Sequence, residues 1–136
     1  MDYVDTANRR VVAPAKTLSN NTTTSIFEVA LPAGTMTGGT FTVTIVATDG
    51  TDVQAHSDIV TYAAVNKAGV YTTDIQSDTA NDSVALSSGT LAVTWSITTG
   101  TDKVIIRVNA NSSLTTTDMK VYFQLDNNDG HVVTLL

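Results

Sequence analysis

The stretch Thr40-Phe41-Thr42-Val43-Thr44-Ile45-Val46-Ala47-Thr48-Asp49-Gly50 decides the fold class. Phe41, Val43, Ile45 and Ala47 alternate with Thr40, Thr42, Thr44 and Thr48 in a strict period of two. Successive strand side chains point to opposite sides, so this register puts an apolar row on one face and hydroxyls on the other. Asp49-Gly50 then signals a hairpin, because such turns need positive φ. Working outward, Phe27, Val29 and Leu31 alternate before Pro32-Ala33-Gly34 stops the run. A return strand is expected over roughly Val53 to Val65, a turn at Asn66 to Gly69, and another strand from Val70 to Gln76.

The second half repeats the grammar. Leu91, Val93, Trp95 and Ile97 alternate with Thr and Ser, Gly100 turns the chain, and Val104, Ile106 and Val108 return. Asn109 to Thr117 reads as a polar loop, after which Met119, Val121, Phe123 and Leu125 alternate again. Eight of the fourteen positions from 39 to 52 are identical to those 50 residues further on. The echo is either a chance match in a Thr-rich chain or two equivalent hairpins, one in each half, since two copies are too few for a propeller or solenoid; it reads as the second. The expected fold is all-β: an antiparallel, jelly-roll-like β-sandwich of eight or nine short strands. The inward row should include Phe41, Val43, Ile45, Leu91, Val93, Trp95, Ile97, Val104, Ile106, Val121, Phe123 and Leu125.

Composition agrees. Of 136 residues, 25 are threonine and 10 serine, while Glu28 is the one glutamate among 13 acids. Helix surfaces favour Glu, Lys, Ala and Leu; branching at Cβ favours pleated surfaces. A chain of this size buries about two-thirds of its surface on folding, enough for one core. Residues 1–25 differ, with Arg9, Arg10, Pro14 and the run Ser19 to Ser25. They read as an arm or edge segment ahead of a β-sandwich domain over 26–136. Met1-Asp2-Tyr3-Val4-Asp5 is acidic and has no apolar stretch, so no secretory signal is expected, and no apolar run approaches the ~20 residues of a membrane span. A formal charge of −6 argues against a nucleic-acid partner, and the absence of cysteine removes disulfides and thiolate metal sites.

Candidate chemistry is sparse. His56 lies in Ala55-His56-Ser57-Asp58, but on a strand His56 and Asp58 share a face while Ser57 points the other way. A Ser–His–Asp triad needs convergence, so a polar strand face is the expectation. Asp49/Asp52, Asp78/Asp82 and Asp126/Asp129 are acid pairs in turns. Calcium wants six to eight oxygens, whereas Asp and Asn favour turns for backbone reasons alone. No metal, no cofactor and no catalytic residue is expected. Tyr62, Tyr71 and Tyr122 are candidates for exposed, sugar-facing rings.

Ala47 to Gln54, Val60 to Lys67 and Leu91-Ala92-Val93-Thr94-Trp95 carry a resemblance. From about Thr40 to the end, the chain resembles β-domains in virion proteins of tailed bacteriophages: small head decoration (cement) proteins and tail fibre proteins. The resemblance implies a non-enzymatic structural protein on the outer surface of the capsid, with the major capsid protein and its own copies, as a homotrimer, for partners. The chain begins with its own methionine and has no shaft, which favours the decoration protein over a tail fibre or receptor- or carbohydrate-binding module. A small enzyme is the reading the sequence supports least. On the decoration reading Arg9, Arg10, Val11, Val12 and Leu18 form the capsid or subunit contact, the two arginines meeting carboxylates there.

Overall fold

A computed structural model describes residues 3–5, 10–116, 118–126 and 130–136. Among these lie twelve strands: β1 (Tyr3–Asp5), β2 (Arg10–Val12), β3 (Lys16–Thr17), β4 (Thr24–Ala30), β5 (Thr35–Thr48), β6 (Val53–Lys67), β7 (Val70–Ser77), β8 (Ser83–Leu86), β9 (Leu91–Gly100), β10 (Lys103–Ser112), β11 (Asp118–Asp126) and β12 (Val133–Leu135). They form two antiparallel sheets packed face to face, a β-sandwich. The large sheet runs β1-β2-β11-β5-β6-β7, with β3 beside β2 on β11 and β8 beside β7 on β6. The small sheet runs β12-β4-β10-β9.

The Thr40–Gly50 register holds. Phe41, Val43, Ile45 and Ala47 are buried, and every second residue on β6 from Gln54 to Asn66 faces the same side. The two segments of the 50-residue echo are both hairpins, β5–β6 in the large sheet and β9–β10 in the small one. Their turns differ. Thr48 pairs with Val53 across four residues, whereas β9 runs on to Gly100, which pairs with Lys103 across two. Positive φ falls on Gly50 in the first and on Asp102 in the second.

The aromatic centre joins the layers. Phe27 is fully buried and packs against Phe41 (5.4 Å between ring centres), Phe123 (5.2 Å) and Tyr62 (5.9 Å). Trp95 packs edge-on to Phe41 at 5.2 Å. All twelve residues expected inside belong to this core, but Val93, Trp95 and Ile97 are only partly buried because β9 is an edge strand. Gly39 faces inward opposite Tyr62, where a Cβ would sit 2.7 Å from the tyrosine oxygen and 2.9 Å from the Asp126 carbonyl. Only glycine admits that approach. A bulge leaves Ile26 unpaired between Ser25 and Phe27, so two consecutive residues are buried there.

Two differences from the sequence reading have physical causes. β10 continues through Ser112, past the expected loop start at Asn109, because Asn20 caps its end: Ser112 N–H donates to Asn20 Oδ1 (2.8 Å) and Asn20 Nδ2 to Ser112 O (2.9 Å). β8 was hidden by its polar flanks and fills the edge of β6 left open where β7 ends. Residues 10–18 lie along β11, with Ala13 N–H donating to Phe123 O (2.9 Å) and Leu18 N–H to Met119 O (2.8 Å), while Asn20 and Asn21 bond to β10.

Candidate functional site

The contact residues proposed from sequence fall into different environments. Arg9 lies outside the described residues. Val11 and Leu18 are buried in the core of this chain, so their apolar surface already has an intramolecular home. Val12 is exposed on the outer face of the large sheet. Arg10 is exposed and its Nε lies 3.7 Å from Asp126 Oδ1 of the same chain. A pair this open contributes little.

The structure gathers a polar cluster that alternation only half discloses. His56 and Asp58 stand together on the inner side of β6, and the β7–β8 loop brings Asp82 to them. His56 Nε2 lies 3.4 Å from Asp82 Oδ2 and 4.0 Å from Asp58 Oδ2. Burial pushes the Asp58 carboxyl above its usual range. The Ile59 N–H bond and His56 oppose that shift, while Asp82 and Asp78 add to it. Ser57 points to the other face, its Oγ 2.9 Å from Thr44 Oγ1. The His–Asp pair therefore has no serine, as a convergent triad would require.

The acids in turns serve the backbone. Asp49 Oδ1 accepts from Thr51 N–H (2.9 Å) and Asp52 N–H (2.7 Å), bonds that lower its pKa. Asp52 Oδ1 accepts from Ser87 Oγ (2.9 Å), and Asp78 Oδ2 from Asn81 Nδ2 (2.9 Å). Asp129 lies outside the described residues. Among the described residues no group of three or more His, Cys, Asp or Glu is placed to hold a metal ion. Glu28 faces outward and pairs with Lys103 Nζ at 3.1 Å.

Of the three tyrosines, Tyr62 is buried, and Tyr71 spends its hydroxyl as a clasp between the sheets. The Tyr71 hydroxyl donates to Gly100 O (2.9 Å) and accepts from Asp102 N–H (2.8 Å). Tyr122 is exposed on the outer face of the large sheet. Two open hollows lie on that side. One, of about 630 Å³, is lined chiefly by Val46, Val53, Ala55, Ala85 and Leu86; the other, of about 400 Å³, by Thr42, Thr44, Ser57, Ile59, Tyr122 and Gln124. Among the described lining residues Asp118 borders the first and Asp58 the second.

No family model and no curated protein matches the chain. A solved structure does: the fold is similar to part of the tailspike protein of Acinetobacter baumannii phage AM24. The TM-score is 0.54 at 8% identity, over 96% of this chain and 29% of the tailspike. The chain thus spans less than a third of that protein's length, and the likeness is one of fold.

Proposed function

We propose that the chain is a non-enzymatic structural β-module of a tailed-phage virion, carried on the tail. The observation that supports this most is the fold likeness to a phage tailspike over 96% of the chain. The surface character of the candidate site fits a module that acts by contact.

The capsid-decoration reading shares the virion and differs in place and partner, which would be the major capsid protein. Its apolar anchor is weakened by geometry, since Val11 and Leu18 are packed inside. The test is labelling of purified particles with an antibody against the chain, viewed by cryo-EM. Label along or at the end of the tail is the expected result. Label over the shell would restore the decoration protein, and a chain missing from purified particles would overturn the virion reading.

A further inference from the structure

The small sheet ends in an unguarded edge. β9 pairs with β10 residue for residue from Leu91 to Gly100, with no bulge, and among the described residues no strand pairs with its other side. Folded proteins blunt such edges by keeping them short, or with charge, proline or a bulge. The other outermost strands follow that rule: β1, β3, β8 and β12 have four residues or fewer, and β7 carries Asp74. β9 has ten residues, none of them charged and none proline. Val93, Trp95, Ile97 and the threonines among them favour extended backbone. The side of β9 away from β10 is therefore held as a regular row of N–H and C=O groups.

The side chains along this edge are incomplete in the same direction. Val93, Trp95 and Ile97 pack against the core yet stay half-buried. An open hollow of about 390 Å³ lies between the edge strands of the two sheets, lined by Ile75, Gln76 and Ser77 of β7, by Thr79, and by Val93 and Trp95 of β9. On the outer side, Arg107 stands on β10 between the buried Ile106 and Val108 and pairs in register with Ser96. Lys103 on the same strand is matched by Glu28 at 3.1 Å. Among the described residues Arg107 forms no ion pair, and its Nε is buried without a hydrogen-bond partner. We propose that β9 takes an extended segment of a partner protein as a fifth strand of the small sheet, with apolar side chains alternating into the hollow beside Trp95 and a carboxylate outside for Arg107. In strand addition the main-chain bonds supply affinity and pockets for alternate side chains supply specificity. Two strand spacings, about 10 Å, separate β10 from the added strand. The short Ser96 between them leaves an arginine and a glutamate free to meet. A second copy of the chain fits less well. The outward residues of its β9 are Ala92, Thr94, Ser96 and Thr98, with no acid for Arg107, and two molecules of formal charge −6 repel.

The assignment rests on the edge, the hollow and the unmatched arginine, and holds whatever particle the chain belongs to. The probe is the capped synthetic peptide Ser-Val-Thr-Val-Glu-Val-Thr-Val-Ser, with a counterpart in which lysine replaces the glutamate. Trp95 is the chain's one tryptophan, so its fluorescence reports the edge directly. Titration of the full chain with the glutamate peptide should move Trp95 emission to shorter wavelength and saturate. Amide hydrogen exchange should then slow in β9 and stay unchanged in β7 and β12. The lysine peptide should bind more weakly, because it meets Arg107 with like charge. Arg107→Gln should weaken the glutamate peptide by up to about fivefold, the worth of a solvent-exposed ion pair, and remove the preference between the two peptides. Should that variant misfold, the comparison of the two peptides on the wild type still decides the charge. No saturation below about 1 mM peptide, protection gained on another strand, or equal binding of the two peptides would each overturn the proposal. So would protection of β9 that rises with protein concentration in the absence of peptide, which would give the edge to a second copy.

Discussion

Replacing Gln54 by leucine tests how the two layers are locked at one end. Gln54 is a buried amide on the inner side of β6. Its Nε2 donates to Ser88 O (2.9 Å) and Thr90 O (3.2 Å), and its Oε1 accepts from the Ser112 hydroxyl (2.6 Å) on β10 of the opposite sheet. Leucine has about the same volume, so the cost comes from partners left behind. Thr90 O keeps a bond from Ser113 N–H (3.0 Å), and Ser88 is exposed, so water replaces its lost donor. The penalty falls on Ser112, a buried hydroxyl that loses its acceptor. An orphaned buried group costs about 1–3 kcal/mol, which puts Gln54→Leu near 2 kcal/mol. With an unfolding entropy of roughly 0.3 kcal/mol/K for this length, the melting temperature should fall by about 7 °C. The decisive measurement is the double-mutant cycle with Ser112→Ala by calorimetry. Removing the hydroxyl after its partner is gone should cost little, giving a coupling of about 1–2 kcal/mol. Strictly additive losses would refute the lock.

Three further outcomes are expected. Burial raises the Asp58 carboxyl, so its contribution is complete below the unfolded pKa of about 3.9 and is lost as pH rises through the folded value. Asp58→Asn should therefore melt above the wild type at neutral pH, with the gap closing near pH 3; a gap that widens on acidification contradicts this sign. Trp95→Ala should cost about 3 kcal/mol, the low end for a large ring, because Trp95 is only partly buried against Phe41; denaturant titration measures it, and a loss under 1 kcal/mol would mean the ring is dispensable. The thermal midpoint should be the same with and without EDTA, since the Asp49, Asp52 and Asp78 carboxylates already bond within their turns or to a nearby side chain; a marked fall with chelator would reveal a bound cation.

The sandwich was legible because the residues that fix it act locally. Phe41-Thr42-Val43 and Leu91-Ala92-Val93 alternate at the strand period, and a one-residue slip would expose the whole apolar row. What stayed hidden needs distance in sequence. Val11 and Leu18 look homeless in a polar N-terminal stretch, yet Val11 pairs with Leu125 and Leu18 bonds to Met119, each more than 100 residues away. β8 is four residues long and becomes a strand only because β6 outruns β7 and leaves an edge to fill.

The polar sites divide along the same line. Alternation places His56 and Asp58 on one face, but the loop that adds Asp82 is set by where β7 ends and β8 begins. The uncharged outward rows from Met36 to Thr48 and from Val53 to Val65 are the reverse case, for every residue in them is read directly from β5 and β6. Their meaning arises only when the two rows are paired in register, Thr42 against Ile59 and Val46 against Ala55, and found to share the side away from the core. A threonine in isolation marks β-propensity. In register, the uncharged outward residues of these two strands are flanked on the same face by Asp74 on β7 and by Asp118, Lys120 and Asp126 on β11.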